Sequence, residues 1–520
     1  MNEQSLFDRY HDSPLLKTLV DGILMSEAQN KPAQFFLQNL YGSSTAFIIE
    51  AIFKNESTSG LNHLIILNDA EEAAYFFNSV ESVTEAMDLF YFPSSFKTTQ
   101  NFSLLNPSHV MLRTEALTKI SMGGNKKIIV SYPEAIFEKV ILPKTLQQNI
   151  IQLKTNDTLQ LNQLMQQLVD YGFERTDFVY EPGQFALRGG IFDIYSFGNE
   201  KPYRIELFGE EVDSIRLFDP ATQLSERKLL QVNIIPNVTT QFEDTEKIPL
   251  LDFLSKDTVI WLKDWDVIKQ KGMDQAEALQ DYLDHHAGRP IVEENDPHQK
   301  HTHLEDFVDV ELTEKALSTK SIIEFGYQPH LTKEKINFNT QVQPAFNRQF
   351  QLLIENLQSF EKKGYAIFIF AEQAKQLERL HAIFTDLKTE IQFTPIVKNI
   401  HEGFIDHEHK LLCYTDHQIF QRYHKYKVKQ AYTKSKAITL RTLRDLAPGD
   451  YVTHIDHGVG VYSGLQKMEV KGVMQEAVRI IYKDSDILYV NINSLHKISK
   501  YTGKDCLLYT SPSPRDAHES

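Results

Sequence analysis

A phosphate cradle needs glycine-rich backbone amides, a lysine that reaches the β and γ phosphates, and a Ser or Thr hydroxyl for magnesium. The nearest approach to one is Tyr41-Gly42-Ser43-Ser44-Thr45-Ala46-Phe47-Ile48, where Gly42, Ser43, Ser44 and Thr45 stand without a Gly-Lys pair and apolar residues follow. Lys126 and Lys127, after Gly123-Gly124, have the right types but precede a strand-like run instead of opening a helix. No DExx box follows a strand pattern, and no nucleophile elbow, HExxH, EF-hand loop or GxGxxG stands in its proper context. His298, His301 and His303, near Asp296, are metal ligands by type. Their spacing matches no rigid helical pair, and Asp284 to Phe307 reads as a polar loop. Cys413 and Cys506 are the only cysteines, too few for a disulfide framework or a thiolate zinc site. The sequence therefore assigns no catalytic residue, no metal site and no cofactor cradle.

Cations set into strands are a second kind of chemistry. In Glu181 to Pro220, Phe185 and Leu187 alternate with Ala186 and Arg188, while Tyr203, Ile205 and Leu207 alternate with Arg204, Glu206 and Phe208. This is the period-2 pattern of half-buried strands. Gly189 and Gly190 punctuate the first run, and Phe208-Gly209-Glu210-Glu211 closes a hairpin. Arginines held this way can grip acidic groups of a partner through charge-assisted hydrogen bonds; the plainer reading is an ordinary hairpin with exposed arginines.

The elements that must position these residues fall into several domains, as 520 residues exceed one ordinary core. Strand and helix patterns alternate over the first 150 residues, with His63 to Asp69, Leu89 to Phe92 and Lys127 to Ser131 as strands, which implies a parallel α/β sheet. The arginine block interrupts it, and strand-like runs such as Thr258 to Leu262 resume afterwards. A second α/β domain spans about 325 to 435. There Phe346, Phe350, Leu353, Leu357 and Phe360 form an amphipathic helix that Gly364 stops, ahead of a strand from Tyr365 to Phe370. Leu411 to Thr415 is a further strand, and Asp416 after it reads as a helix N-cap. From Arg441 the pattern becomes short strands separated by turns, the signature of a small antiparallel barrel.

The net charge of −16 argues against the whole chain being a nucleic-acid clamp. Arg422 to Arg444 nevertheless holds eight Lys or Arg and no carboxylate, interleaved with Tyr423, Tyr426 and Tyr432. Such a segment can track phosphates, but it reads more simply as a solvated basic connector between domains. No apolar run is long enough to span a bilayer, and the polar N-terminus fits neither a secretory signal nor a transit peptide. A cytoplasmic location away from membranes is expected.

The arginine block resembles the small domain that the excinuclease subunit UvrB shares with transcription-repair coupling factors, which docks the damage-recognition subunit UvrA. UvrB has one arginine in a YERND-like run and two in an FRVRG-like run. Phe173-Glu174-Arg175-Thr176-Asp177 keeps the first, and Phe185-Ala186-Leu187-Arg188-Gly189 keeps the last, with Ala186 in place of the other. The resemblance thus implies UvrA contacts at Arg175, Arg188 and Phe185. It also matches Gly42 to Thr45 to the family's nucleotide loop, here degenerate. Pro448 to Leu465 (PGDYVTHIDHGVGVYSGL) is similar to the polymerase-interacting domain that coupling factors share with CarD-type regulators. That domain is a Tudor/SH3-like barrel that pairs an exposed strand with the RNA polymerase β subunit. The strand Glu476 to Tyr482 fits the role, with Val478, Arg479 and Ile480 as contacts. His454 and His457, beside turns, read as structural.

The implied fold class is a multidomain α/β protein resembling the N-terminal portion of a transcription-repair coupling factor. A degenerate helicase-like α/β domain (1–150 and 231–320) would carry an inserted β-rich UvrB-type domain (151–230). A middle α/β domain (325–435), a basic linker (436–445) and the CarD-like barrel (446–505) would follow. The tail 506–520 lacks periodicity and looks like translated vector sequence. By resemblance, ATP and magnesium serve translocase domains absent from this stretch, and DNA is bound mainly through them. Two rival readings remain: a UvrB-type DNA-damage ATPase, which needs a working phosphate loop, and a CarD-like transcription regulator, which has no need of the insertion.

Overall fold

The computed structural model describes residues 2–124, 126–220, 223–242, 245–286, 299–426, 446–454, 457–470, 473–483, 486–491 and 498–500. The first strands, β1 (Gln34–Gln38), β2 (Asn62–Ile66), β3 (Leu89–Phe92) and β4 (Ile128–Ser131), are short apolar runs. Helices alternate with them. The helix Ala70–Thr84 starts where the Asp69 carboxylate accepts from Glu72 N–H, and Asn106 caps the helix Pro107–Ser121. The two-residue β5 (Val140–Ile141) ends this segment.

The chain then leaves on β6 (Ile151–Lys154) and builds β7 (Glu174–Arg175), β8 (Gln184–Arg188), β9 (Ile191–Ile194), β10 (Tyr203–Phe208), β11 (Glu211–Phe218) and β12 (Ser225–Leu229). It returns on β13 (Gln231–Ile234), which pairs antiparallel with β6 and so forms the neck of the insertion. Because that neck includes Gln231 to Ile234, the insertion ends later than the expected residue 230. Strands β12-β11-β10-β9-β8-β7 make one sheet, antiparallel except at β7 and β8. Phe185, Phe192, Ile194, Tyr203, Ile205, Val212 and Ile215 fill its inner side together with Leu164 and Leu168 of the helix Leu161–Asp170.

Beyond the insertion, β14 (Lys247–Ile248) pairs with β5. Strands β15 (Thr258–Lys263), β16 (Ile322–Phe325) and β17 (Glu334–Asn337) then complete a seven-stranded parallel sheet in the order β17-β1-β16-β15-β2-β4-β3. The expected boundary near 320 to 325 is therefore corrected: β16 and β17 flank β1 in parallel register, and the first domain runs to Asn337.

The middle domain comprises β18 (Thr340–Val342), β19 (Ala366–Phe370), β20 (Thr394–Ile396), β21 (Phe404–Asp406) and β22 (Leu411–Thr415), ordered β18-β21-β22-β19-β20. Leu353, Ile354 and Leu357 of one helix and Leu377, Leu380 and Phe384 of the next pack with Ile367 and Ile369. Gly364, at φ +81°, makes the turn from the first helix into β19, as the sequence suggested. Asp416 is not the N-cap: Thr415 holds that position, and Asp416 pairs with Arg422.

At the C-terminal end, β23 (Tyr451–His454), β24 (Gly458–Val470), β25 (Val473–Ile481), β26 (Ile487–Asn491) and β27 (Ile498–Lys500) form an antiparallel sheet ordered β26-β25-β24-β23-β27. Val452, Tyr462, Val478, Ile480, Val490 and Ile498 form its core. The seven-stranded and middle sheets belong to one compact unit (1–150 and 237–429), and the inserted and C-terminal sheets to a second (151–236 and 430–520). Among the described residues no helix is long and apolar enough to cross a membrane. The non-native reading of 506–520 and the linker 436–445 lie outside the described residues.

Candidate docking surfaces

The loop after β1 has the strand-loop-helix connection of a phosphate cradle, but its polar groups are already engaged. Ser43 N–H donates to the Glu402 carbonyl at 3.0 Å, and Glu402 N–H donates to Ser43 Oγ at 3.1 Å. Ser44 Oγ donates to Tyr41 O at 2.7 Å. Gly42 adopts φ +56°, and a Cβ there would meet the Gly403 carbonyl oxygen at 2.8 Å. Ser43, Ser44 and Thr45 are buried. The β20–β21 connection thus packs against the loop where a phosphate would sit, and the residues present do not fit one. Lys127 Nζ donates to the carbonyls of Gly123 and Gly124, at 2.8 and 2.7 Å. His301 is exposed and His303 N–H donates to Asp306, whereas His298 and Asp296 lie outside the described residues.

The inserted sheet is organised differently. Alternation sends Phe185, Phe192, Ile194, Tyr203 and Ile205 inward and leaves Ala186, Arg188, Asp193 and Arg204 on the opposite side. Across the strands Ala186 stands opposite Asp193, Asp193 opposite Arg204, Arg204 opposite Arg216, and Arg216 opposite Lys228. Fully buried Asp193 receives Arg204 through two bonds, Nε to Oδ1 at 2.8 Å and Nη2 to Oδ2 at 2.9 Å, and Arg188 Nη2 at 2.7 Å. The Arg188 guanidinium lies over the Phe178 ring at 4.2 Å, and that of Arg204 over Phe218 at 4.4 Å. One carboxylate thus orients two guanidinium forks, and the local charge stays positive. The Arg188 side chain is 34% exposed and that of Arg204 14%, while Arg175 and Lys228 are exposed. Further along, Arg216 Nη2 pairs with Glu206 at 3.2 Å.

Two sequence assignments change here. Phe185 is 1% exposed within the inner core against Phe192, so it supports the sheet from beneath and is not a surface contact. Arg204 and Asp193 were missed as site residues, although the alternation that singled out Arg188 places both on its side. Ala186 is fully buried with Val179, Tyr195 and Phe218.

The C-terminal sheet also departs from expectation. Strand β25 pairs with β24 on one side and β26 on the other, so it is not an edge. Val478 and Ile480 are fully buried in the core, and Arg479 is half-buried. None of the three is offered to a partner strand, because both backbone sides of β25 are already paired. Unpaired backbone lies elsewhere among the described residues. β26 and β27 end the sheet, and β23 covers β24 from Gly458 to Val461; Tyr462 still exchanges backbone bonds with Gly449 and Asp450, so among the described residues β24 is one-sided only beyond it. A register shift between Tyr462 and Leu465, with Gly464 at φ +94°, bends β24 where that free half begins. Leu465 is 52% exposed there. His454 is buried, its ring 4.8 Å from that of His457.

The basic segment is described only as far as Tyr426; its remainder lies outside the described residues. Its root is tied down: Tyr75 OH donates to His424 O at 2.7 Å, and the His417 and His424 rings stack at 4.3 Å.

Residues 151–239 match the family model of the UvrB interaction domain, and residues 446–502 match that of the CarD-like/TRCF RID domain. The chain is 24% identical to the transcription-repair-coupling factor of Bacillus subtilis (strain 168) over 537 residues, covering 90% of this chain and 45% of that protein. It is 23% identical to that of Staphylococcus haemolyticus (strain JCSC1435) over 514 residues, covering 85% and 43%. For Staphylococcus aureus (strain MRSA252) the figures are 24% over 532 residues, covering 89% and 45%. The chain spans less than half the length of these curated relatives. Its resemblance to the N-terminal portion of transcription-repair coupling factors covers about 90% of its residues.

Proposed function

We propose that this chain is an adaptor in transcription-coupled nucleotide excision repair, docking UvrA through the inserted sheet and RNA polymerase through the C-terminal sheet. The observation that carries the reading is the presence in one chain of a UvrB interaction domain and a CarD-like/TRCF RID domain. On the inserted sheet, Arg188 and Arg204, oriented by Asp193, together with exposed Arg175, supply charge-assisted donors for acidic groups of UvrA.

The C-terminal match supports a small Tudor/SH3-like barrel that pairs with the polymerase β subunit. Backbone pairing needs an unpaired edge, so the docking strand is the distal half of β24, around Leu465, and not β25. A cytoplasmic location goes with this role. On this reading ATP-driven translocation and most DNA contact would fall to other parts of such a coupling factor, not to these two surfaces.

The test is surface plasmon resonance of the purified chain over immobilised UvrA and over core RNA polymerase. Saturable binding to each, undiminished by prior binding of the other, is expected; binding to neither overturns the proposal. Magnesium-dependent ATP turnover by the chain would instead favour a UvrB-type ATPase, against the occupied loop at Gly42 and Ser43.

A further inference from the structure

Cations on the outer side of the inserted sheet form a line across its strands. Arg204 on β10 stands directly opposite Arg216 on β11, and Arg216 directly opposite Lys228 on β12. Neighbouring strands lie about 4.8 Å apart, so the three positions span about 10 Å. Like charges set directly opposite one another on a sheet work against its pairing. Carboxylates of the sheet relieve this at one end more than at the other. Arg204 is fixed by Asp193 through two bonds and donates a third, from Nη1 to the Gln223 carbonyl at 2.9 Å. Arg216 meets Glu206 at 3.2 Å, but Glu206 also accepts from Ser214 Oγ at 2.6 Å, and the Arg216 side chain is 40% exposed. Lys228 is exposed. The line thus runs from a locked, shielded end to an open one.

Strand positions that work against their own sheet mark a place where binding takes precedence over stability. We infer, on the reading that the inserted sheet docks UvrA, that its docking face continues through Arg216 and Lys228 and takes carboxylates of UvrA set out across the strands. Asp193 orients the shielded end, Arg188 and Arg204, while the open end adds a guanidinium fork and an ammonium that select a partner acidic along this direction. Nucleic acid is the poorer occupant, because its affinity at physiological salt draws on many phosphate contacts and a line of about 10 Å meets few.

The test is surface plasmon resonance of the full chain over immobilised UvrA, core RNA polymerase and a DNA duplex, with Arg216→Gln plus Lys228→Gln beside the unaltered chain. UvrA affinity is expected to fall at least about fivefold and to vary less with salt, while polymerase binding stays as it was. The urea midpoint should hold or rise, since the variant removes like charges that face each other, and this separates lost binding from lost structure. Should the double variant fail to fold, Lys228→Gln alone is expected to weaken UvrA binding about twofold. Equal UvrA binding by variant and unaltered chain overturns the inference and leaves the UvrA reading in place. No UvrA binding by the unaltered chain overturns both. DNA binding lost in the variant while UvrA binding is kept would overturn the inference by assigning the line to nucleic acid.

Discussion

In the proposed function the inserted sheet docks its partner by a face, whereas the C-terminal sheet docks by an edge. On the face, the binding groups are side chains: Arg188 and Arg204 are locked by a buried carboxylate before any partner arrives, so little orientation remains to be lost on binding. At the proposed edge, the binding groups would be backbone amides and carbonyls of β24 beyond Tyr462, the last residue that Gly449 and Asp450 cover among the described residues. A face depends on which residues alternate; an edge depends on which strands fail to pair. Substitutions should therefore act differently in the two regions.

The largest effect should come from Ile480→Arg. A guanidinium placed on a fully buried strand interior should destabilise the C-terminal sheet by more than about 4 kcal/mol and unfold it. Hydrogen exchange should then show protection lost from β23 to β26 together. Retained protection would mean that β25 is not interior.

Next comes Asp193→Ala, which leaves two guanidinium groups without their shared carboxylate. Allowing for the partial exposure of Arg188, the expected loss is about 2–3 kcal/mol, read from the urea midpoint. A midpoint shift below a quarter of that would show the arginines to be independent of Asp193, and the face to be no more ordered than any exposed hairpin.

The smallest effect concerns acid and the middle domain, which supplies neither face nor edge. Burial and neighbouring His424 hold His401 at about 4 and His417 at about 3, below the ordinary 6.5. Below pH 6.5 the unfolded chain therefore binds more protons. The stability these rings contribute is complete above about pH 6.5 and is lost as pH falls through about 4 and then 3. Exchange protection of β19 and β22 should be weaker at pH 5 than at pH 7. Equal protection at both would contradict the neutral ring stack.

What could be read in advance follows the same division. Phe185 and Leu187 against Arg188, or Ile367 and Ile369 beneath amphipathic helices, are local patterns, and the strands form where they indicate. The missing lysine after Ser44 was also legible. The partner that occupies the loop was not, because Glu402 lies 359 residues beyond Ser43 and belongs to the middle domain. Asp193 between two arginines requires the register of three strands, and the interior position of β25 requires β26 on its far side. Likewise β16 and β17 join β1 across nearly 300 residues of chain, which a boundary drawn on composition alone cannot anticipate. Phe185 is instructive in another way: its own alternation pointed inward, and only the family resemblance placed it at the surface.

The central claim, two separable docking surfaces, is tested most directly by measuring UvrA and RNA polymerase affinities side by side for two variants of the full chain. Arg175→Ala with Arg188→Ala should weaken UvrA binding at least about tenfold, near 1.4 kcal/mol, and leave polymerase binding unchanged. Leu465→Arg, on the free half of β24, should do the reverse with stability altered by no more than about 0.5 kcal/mol. If either variant weakens both partners equally, or neither weakens any, face and edge are not the two docking surfaces of this chain.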